Sequence, residues 1–233
     1  MSADSVESQN IVGYTTSSLS SGVKDISGVP FVNAGATTFS IQNITLSNGT
    51  DGSDWIMVFN PNTRAYDEYT WFAEVYTDDS YSTSLGVPGW GNNYVKIDCE
   101  LDPGQGFWIR TEADSDMTLP GQVVAGENNS FSTKAGVKDI VACVFPTAVS
   151  IQDITLTGGT DGSDWIMVFN PNTRSYDEYV WFSEVYTDDS YATSLGKAGW
   201  GNNYVMAPCT LNPGQGFWIR TEADCTVSFP SPL

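Results

Sequence analysis

Apolar and polar positions alternate along this chain with a period of two over short stretches, each closed by Asn, Gly, Pro, Ser or Thr. That is the pattern of strands, whose successive side chains point to opposite faces. Trp55-Ile56-Met57-Val58-Phe59 is apolar on both faces and predicts a central strand, and Asn60-Pro61-Asn62-Thr63 follows with strong turn chemistry. Tyr66 to Tyr76 alternates, with Tyr69, Trp71 and Val75 on one face and Phe72, Glu74 and Tyr76 on the other. The two segments are expected to pair as a hairpin. Tyr94 to Leu101 predicts another strand, and Pro103-Gly104-Gln105-Gly106 turns it into Phe107-Trp108-Ile109-Arg110. Pro before Gly suits a type II turn, since Pro presets φ and Gly accepts φ > 0. No window carries a capped helical pattern of useful length.

The pattern occurs twice. Ile41 to Asp114 aligns without a gap to Ile151 to Asp224 at an offset of 110, and about 60 of those 74 positions are identical. Further upstream the offset is 114, with Gly22-Val23-Lys24-Asp25-Ile26 matching Gly136-Val137-Lys138-Asp139-Ile140; four extra residues near Ala34-Gly35-Ala36-Thr37 account for the change. All eight Trp and all four Arg fall in matched pairs. Each unit is long enough for its own core, which excludes a short-period solenoid or a many-bladed propeller. The expected organisation is a tail over 1–10, one repeat over 11–124 and a second over 125–233. The expected fold is all-β: two tandem, pseudo-symmetric β-sandwich domains of about seven to nine strands each, with a flattened barrel as the alternative. Ile11 to Leu19, ahead of the first copy, is an edge strand of its own repeat or one that crosses to the other repeat or to a neighbouring molecule.

Composition narrows the functions. Of 233 residues 40% are hydrophobic and 13% aromatic, ample for packed cores. Nine Lys and Arg against 28 Asp and Glu give a net charge of −19, which excludes non-specific nucleic-acid binding and adhesion to an anionic membrane surface. No apolar run is long enough for a membrane-spanning helix, so no membrane insertion is expected. The chain has no histidine, which removes the commonest general base and the commonest transition-metal ligand. Asp67, Glu68 and Glu74 are the carboxylates open to glycosidase chemistry, but they lie along one strand rather than across a cleft. Gly-rich phosphate loops are absent. The expectation is that the protein is not an enzyme.

Four further groups of residues are candidates for chemistry or cross-linking. Asp51-Gly52-Ser53-Asp54 and its copy Asp161 to Asp164 offer carboxylates, a hydroxyl and carbonyls to Ca²⁺, with Asp51, Asp54, Asp161 and Asp164 as ligands; the simpler reading is a turn capped by Asp side chains. No cofactor other than such Ca²⁺ is expected. A glycan platform is available in Trp90 and Trp200, Tyr81 and Tyr191, Asn92 and Asn202, with Trp71, Tyr76 and Asn93 nearby; here aromatics stack on sugar rings and amides bond hydroxyls. Trp90, between Gly89 and Gly91, is expected in an exposed irregular loop, although core packing is the simpler reading for most of these rings. Trp108, Arg110 and Glu112 share one strand face and predict an outer ladder with Arg stacked on Trp, while Phe107 and Ile109 face the core. Finally, Cys143 and Cys225 occur only in the second copy, where the first has Val29 and Ser115, and are expected to form a disulfide; Cys99 and Cys209 are repeat equivalents read as buried thiols.

Gly-Val-Lys-Asp-Ile, Val29-Pro30-Phe31 with Phe145-Pro146, Ile-Gln-Asn/Asp-Ile-Thr-Leu, a Gly-Trp element and Pro-Gly-Gln-Gly-Phe-Trp-Ile together resemble a loosely defined group of secreted, tandemly duplicated β-rich bacterial proteins. The resemblance spans nearly the whole chain and rests on turns and core aromatics. In that group an opening like Asn10-Ile11-Val12-Gly13-Tyr14 commonly follows a cleaved signal peptide. The resemblance therefore implies an exported or cell-surface protein and assigns no activity. A charged leader and apolar stretch are missing here, so Met1-Ser2 is expected to replace a removed signal peptide.

The expected function is a secreted, non-enzymatic structural or interaction protein. Its partners are expected to be copies of itself, in a filament, array or matrix, or components of a cell surface or matrix, engaged by strand addition through Ile11 to Leu19. The alternatives are a carbohydrate-binding module using exposed Trp and Tyr, and a calcium-dependent adhesive.

Overall fold

A computed structural model describes residues 12–33, 35–60, 63, 65–123, 130–143, 147–170, 173 and 175–230. The chain is all-β. The first repeat contains β1 (Val12–Leu19), β2 (Lys24–Gly28), β3 (Phe31–Val32), β4 (Phe39–Ser40), β5 (Thr45–Leu46) and β6 (Trp55–Asn60). It continues with β7 (Ala65–Phe72), β8 (Gly89–Asn92), β9 (Val95–Lys96), β10 (Glu100–Leu101), β11 (Gly106–Arg110) and β12 (Ser115–Val123). The second contains β13 (Ser130–Thr133), β14 (Lys138–Ala142), β15 (Val149–Ser150), β16 (Thr155–Thr157), β17 (Trp165–Asn170) and β18 (Ser175–Phe182). It ends with β19 (Gly199–Asn202), β20 (Val205–Met206), β21 (Thr210–Leu211), β22 (Gly216–Arg220) and β23 (Cys225–Ser228). One 3₁₀ turn per repeat, Ile41–Asn43 and Ile151–Asp153, is the helical content among the described residues. None of these is long and apolar enough to cross a membrane.

Each repeat builds one six-stranded antiparallel sheet, in the order β2-β11-β6-β7-β8-β9 in the first and β14-β22-β17-β18-β19-β20 in the second. A smaller sheet, β1-β12-β3 with β5 on β12, faces it in the first repeat, and β13-β23-β16 does so in the second. The core lies between the two layers. In the first repeat Ile56, Val58, Trp71, Trp90, Phe107 and Ile109 from the large sheet meet Phe31, Met117 and Leu119 from the small one.

The expected hairpin forms in register, Trp55 opposite Thr70 through Asn60 opposite Ala65. Tyr69, Trp71 and Val75 are buried as the alternation predicts, and so is Phe72 on the other face, where the Tyr94 ring lies against it at 4.2 Å. The segment Tyr94 to Leu101 is not one strand: β9 and β10 are two short ones in different sheets. Many strands are only two residues long, so the twelve and eleven segments exceed the seven to nine expected. Gly104 at φ +81° and the Gln105 N–H donating to the Asp102 carbonyl at 2.9 Å make the type II turn. Of the segment Ile11 to Leu19, residues 12–19 form β1, which pairs with β12 of its own repeat over eight residues and is the edge of that sheet. The tail over 1–10, the boundary at 124–125, Pro61 and Asn62 lie outside the described residues.

The repeats meet along a pseudo-symmetric seam made by the two Pro-Gly-Gln-Gly turns. Gly28 N–H donates to the Gly214 carbonyl at 3.0 Å, and in mirror fashion Ala142 N–H donates to the Gly104 carbonyl at 2.9 Å. Isolated bridges join Ser27 to Gln215 and Gln105 to Val141. Backbones approach so closely that a Cβ on Gly106 would lie 2.2 Å from Ile140 Cγ2, and one on Gly28 would lie 2.0 Å from Ala142 Cβ. The Trp108 and Trp218 rings meet edge to face at 5.5 Å. The ladder on this face differs from expectation: Arg110 pairs with Glu112, but the cation over Trp108 is Lys24, 4.2 Å from the ring centroid, because Lys24 on β2 lies beside it on the same face.

Candidate ligand-binding site

After β7 the chain leaves the sheet and returns to its edge. Tyr76 bridges Val95 in parallel and Ser84 in antiparallel fashion, extending the sheet beyond β9. Residues between Thr77 and Thr83 form a loop closed by the Thr77 N–H bond to the Thr83 carbonyl at 3.2 Å. Asp78 braces it by accepting the Ser80 hydroxyl and the Ser80 N–H, the latter at 3.0 Å; the hydroxyl bond first and the N–H bond second hold the Asp78 carboxyl below the usual carboxylate value. Tyr81 then stands at φ +54°, 42% exposed, with its ring edge-on to Tyr76 at 5.5 Å. Its hydroxyl donates to the Asn93 carbonyl at 3.1 Å and accepts from the Asn93 amide.

Asn93 and Tyr94 are the two-residue turn between β8 and β9, with φ of +49° and +66°. Two left-handed residues define the type I′ hairpin, whose second position strongly favours Gly because a Cβ there is penalised. Tyr94 occupies it nonetheless, 39% exposed. Its ring lies against Phe72 at 4.2 Å and its hydroxyl donates to Asp51 Oδ2 at 3.2 Å. The Asp51 carboxylate beside it raises the Tyr94 pKa. In the second repeat Tyr186, Tyr191, Asn203 and Tyr204 repeat the arrangement, with the same three left-handed residues, and line an open depression of about 360 Å³. There the Glu184 carboxylate raises the Tyr186 pKa.

Of the residues expected to bind glycan, Tyr81 and Tyr191 are placed here. Asn92 and Asn202 are exposed next to the turn; in the orientation that satisfies both groups, their amides donate to the Glu68 carbonyl at 3.1 Å and the Glu178 carbonyl at 3.0 Å. Trp90 and Trp200 correct the expectation of an exposed loop. Both are 0% exposed inside a strand, and Trp90 Nε1 donates to the Ile44 carbonyl at 2.9 Å. The flanking glycines mark close packing: a Cβ on Gly91 would lie 2.0 Å from the Val95 carbonyl oxygen, and one on Gly89 would lie 2.7 Å from Gln42 Oε1. Trp71 is buried against Trp90, rings 5.1 Å apart. Asn93, expected near the glycan residues, is placed here too; Tyr94, expected at the start of a strand over Tyr94 to Leu101, stands in the turn instead, and Tyr204 is its copy.

The cation-binding candidates have other work. Asp54, wholly buried, accepts the Thr50 N–H at 2.6 Å and the Glu112 N–H at 2.8 Å; Asp164 does the same with Thr160 at 2.6 Å and Glu222 at 2.7 Å. Asp51 and Asp161 accept the backbone N–H of Ala73 at 2.8 Å and Ser183 at 2.7 Å. Among the described residues no three His, Cys, Asp or Glu side chains cluster to hold a metal ion. The Cys143–Cys225 bridge is not formed, which corrects that expectation. Both thiols are buried in one core but reach different carbonyls, Cys143 Sγ that of Thr147 at 3.7 Å and Cys225 Sγ that of Ala223 at 3.3 Å. Cys99 and Cys209 lie half-buried beside Tyr69 and Tyr179, and burial pushes both thiols up. Asp67 is oriented by the Asn60 amide at 2.8 Å, Glu74 pairs with Ser84, and Glu68 faces solvent.

Two tyrosine-lined edges with exposed ring faces, amides and carboxylates can stack on and hydrogen-bond a polyhydroxylated ligand. No family model, curated protein or solved structure matches the chain.

Proposed function

We propose that the protein is an exported, non-enzymatic interaction protein that binds carbohydrate through one tyrosine-lined site in each repeat. The observation that carries this reading is the side chain at the second position of the β8–β9 turn and its copy. A Tyr in the left-handed region costs about 1–2 kcal/mol relative to Gly, and the chain carries it in both repeats with the ring exposed. Strain tolerated twice at an exposed aromatic is explained by work done by the ring. Stacking on sugar faces is such work, and Asn93, Asn203 and the neighbouring carboxylates supply hydroxyl partners. Export is supported by the sequence resemblance alone.

Isothermal titration of oligosaccharides against the wild type is expected to give two sites per chain. Tyr94→Gly with Tyr204→Gly is expected to weaken binding at least tenfold while leaving the melting temperature within a few degrees, since relief of turn strain offsets the lost contact with Phe72. Binding unchanged in that variant, or no saccharide bound by the wild type, would overturn the reading.

A second reading, self-association, is favoured by β1, an eight-residue edge strand paired on one side only among the described residues, with Tyr14 73% exposed. Sedimentation velocity over a hundredfold concentration range tests it; a concentration-independent monomer rejects it.

A further inference from the structure

We infer that the tyrosine-lined site of each repeat selects a cationic sugar, a hexosamine with a free ammonium group, over neutral and acidic saccharides. This rests on the carbohydrate reading above and names the ligand class within it. Tyr186, Tyr191 and Tyr204 line one depression in the second repeat, and their counterparts in the first are Tyr76 and Tyr81, edge to face at 5.5 Å, and Tyr94, packed on Phe72 at 4.2 Å. Exposed aromatic rings grouped at one depression attract an organic ammonium through the negative face of a ring. Carboxylates lie beside the rings. Asp51 accepts the Tyr94 hydroxyl, Glu74 accepts the hydroxyl of Ser84, which bridges Tyr76, and the Asp78 carboxylate accepts the Ser80 N–H next to Tyr81.

The second repeat presents the same groups as Tyr186, Tyr191 and Tyr204 with Asp161, Glu184 and Asp188. Lys96 on the strand adjoining the first site is paired with Asp98 at 2.9 Å; Met206 replaces it in the second repeat, where exposed Lys197 stands in place of Val87. A chain of net charge −19 adds a long-range field of the same sign. An ammonium gains from rings, carboxylates and field together; a uronic acid is repelled by the last two, and a neutral N-acetylated sugar gains from ring stacking and hydrogen bonding alone.

The test titrates three oligosaccharides of equal length: glucosamine, N-acetylglucosamine and galacturonate. The glucosamine oligomer is expected to bind at least tenfold tighter than its N-acetylated form, with galacturonate not binding. That preference is expected to disappear in Tyr81→Ala with Tyr191→Ala, and in Tyr94→Gly with Tyr204→Gly, whose turn accommodates Gly should the first pair perturb folding. Equal affinity for the glucosamine and N-acetylglucosamine oligomers overturns the cation selectivity and leaves the carbohydrate reading standing. Glucosamine binding that persists in both tyrosine variants is general attraction to an acidic surface and overturns the inference. Binding of none of the three oligomers nor of any other saccharide overturns both.

Discussion

Asp54 shows what one side chain does in this fold. It is fully buried where the Thr50–Asp54 turn meets the end of β11, and each carboxylate oxygen takes one backbone N–H. Charge-assisted bonds of this kind are roughly twice as strong as neutral ones, and removing the acceptor strands two donors. Asp54→Ala is expected to lower stability by about 2–4 kcal/mol in chemical denaturation. Added Ca²⁺ is expected to leave the melting temperature unchanged, because the carboxylate is already committed to backbone donors; a rise of several degrees would support calcium binding. A neighbouring contrast between copies is equally local. Thr221 Oγ1 pairs with Thr133 Oγ1 at 2.7 Å, but Leu19 stands at the matching position of the first repeat and leaves Thr111 Oγ1 without a partner.

At the scale of elements, the Pro-Gly-Gln-Gly turns serve two purposes. They reverse the chain into β11 and β22, and they carry the carbonyls that bind the edge strand of the opposite repeat. Glycine matters at Gly106 for a steric reason: any Cβ there would collide with Ile140 across the seam. Gly106→Ala is therefore expected to cost about 1–3 kcal/mol, read as a lower melting temperature with altered Trp fluorescence from the Trp108–Trp218 pair. Adding Ile140→Ala is expected to recover part of that loss, so the two changes are less than additive. Full additivity would show that the contact is not where the strain resides. The turn itself was readable from Pro103-Gly104. Its second role was not, since nothing local in a turn sequence states which distant strand its carbonyls will meet.

The whole molecule carries a large negative charge, and two of its carboxyls sit close to the seam. Asp25 and Asp139 are pushed above the ordinary value of 3.8 by burial; Tyr176 and Tyr66 of the opposite repeat are raised first by their own burial and further by Asp25 and Asp139 respectively. A carboxyl with a higher pKa when folded than when unfolded binds its proton more tightly in the fold. Its contribution to stability is therefore present below 3.8 and is lost as pH rises through the folded-state value. Asp25→Asn with Asp139→Asn is expected to raise the melting temperature at pH 7 by on the order of 2 °C. That gain should vanish as pH falls to about 3.8. A gain that does not diminish on acidification would place the effect elsewhere, in reduced self-repulsion of the chain.

Period-two alternation, turn chemistry and an internal repeat determined the all-β class, the β6–β7 hairpin, the type II turn and the division of Phe107 and Ile109 from Trp108 and Arg110, because each depends on neighbours within a few residues. Tertiary structure alone decided the rest. Gly-Trp-Gly reads as a loop until the Val95 backbone and Gln42 are seen against the two glycines, and the buried ring between them follows from that packing. Tyr94 reads as a strand residue until β8 and β9 fold back around it, when its left-handed backbone and exposed ring emerge together. Contacts between residues far apart in the chain, across the core and across the seam, are what the local pattern does not encode.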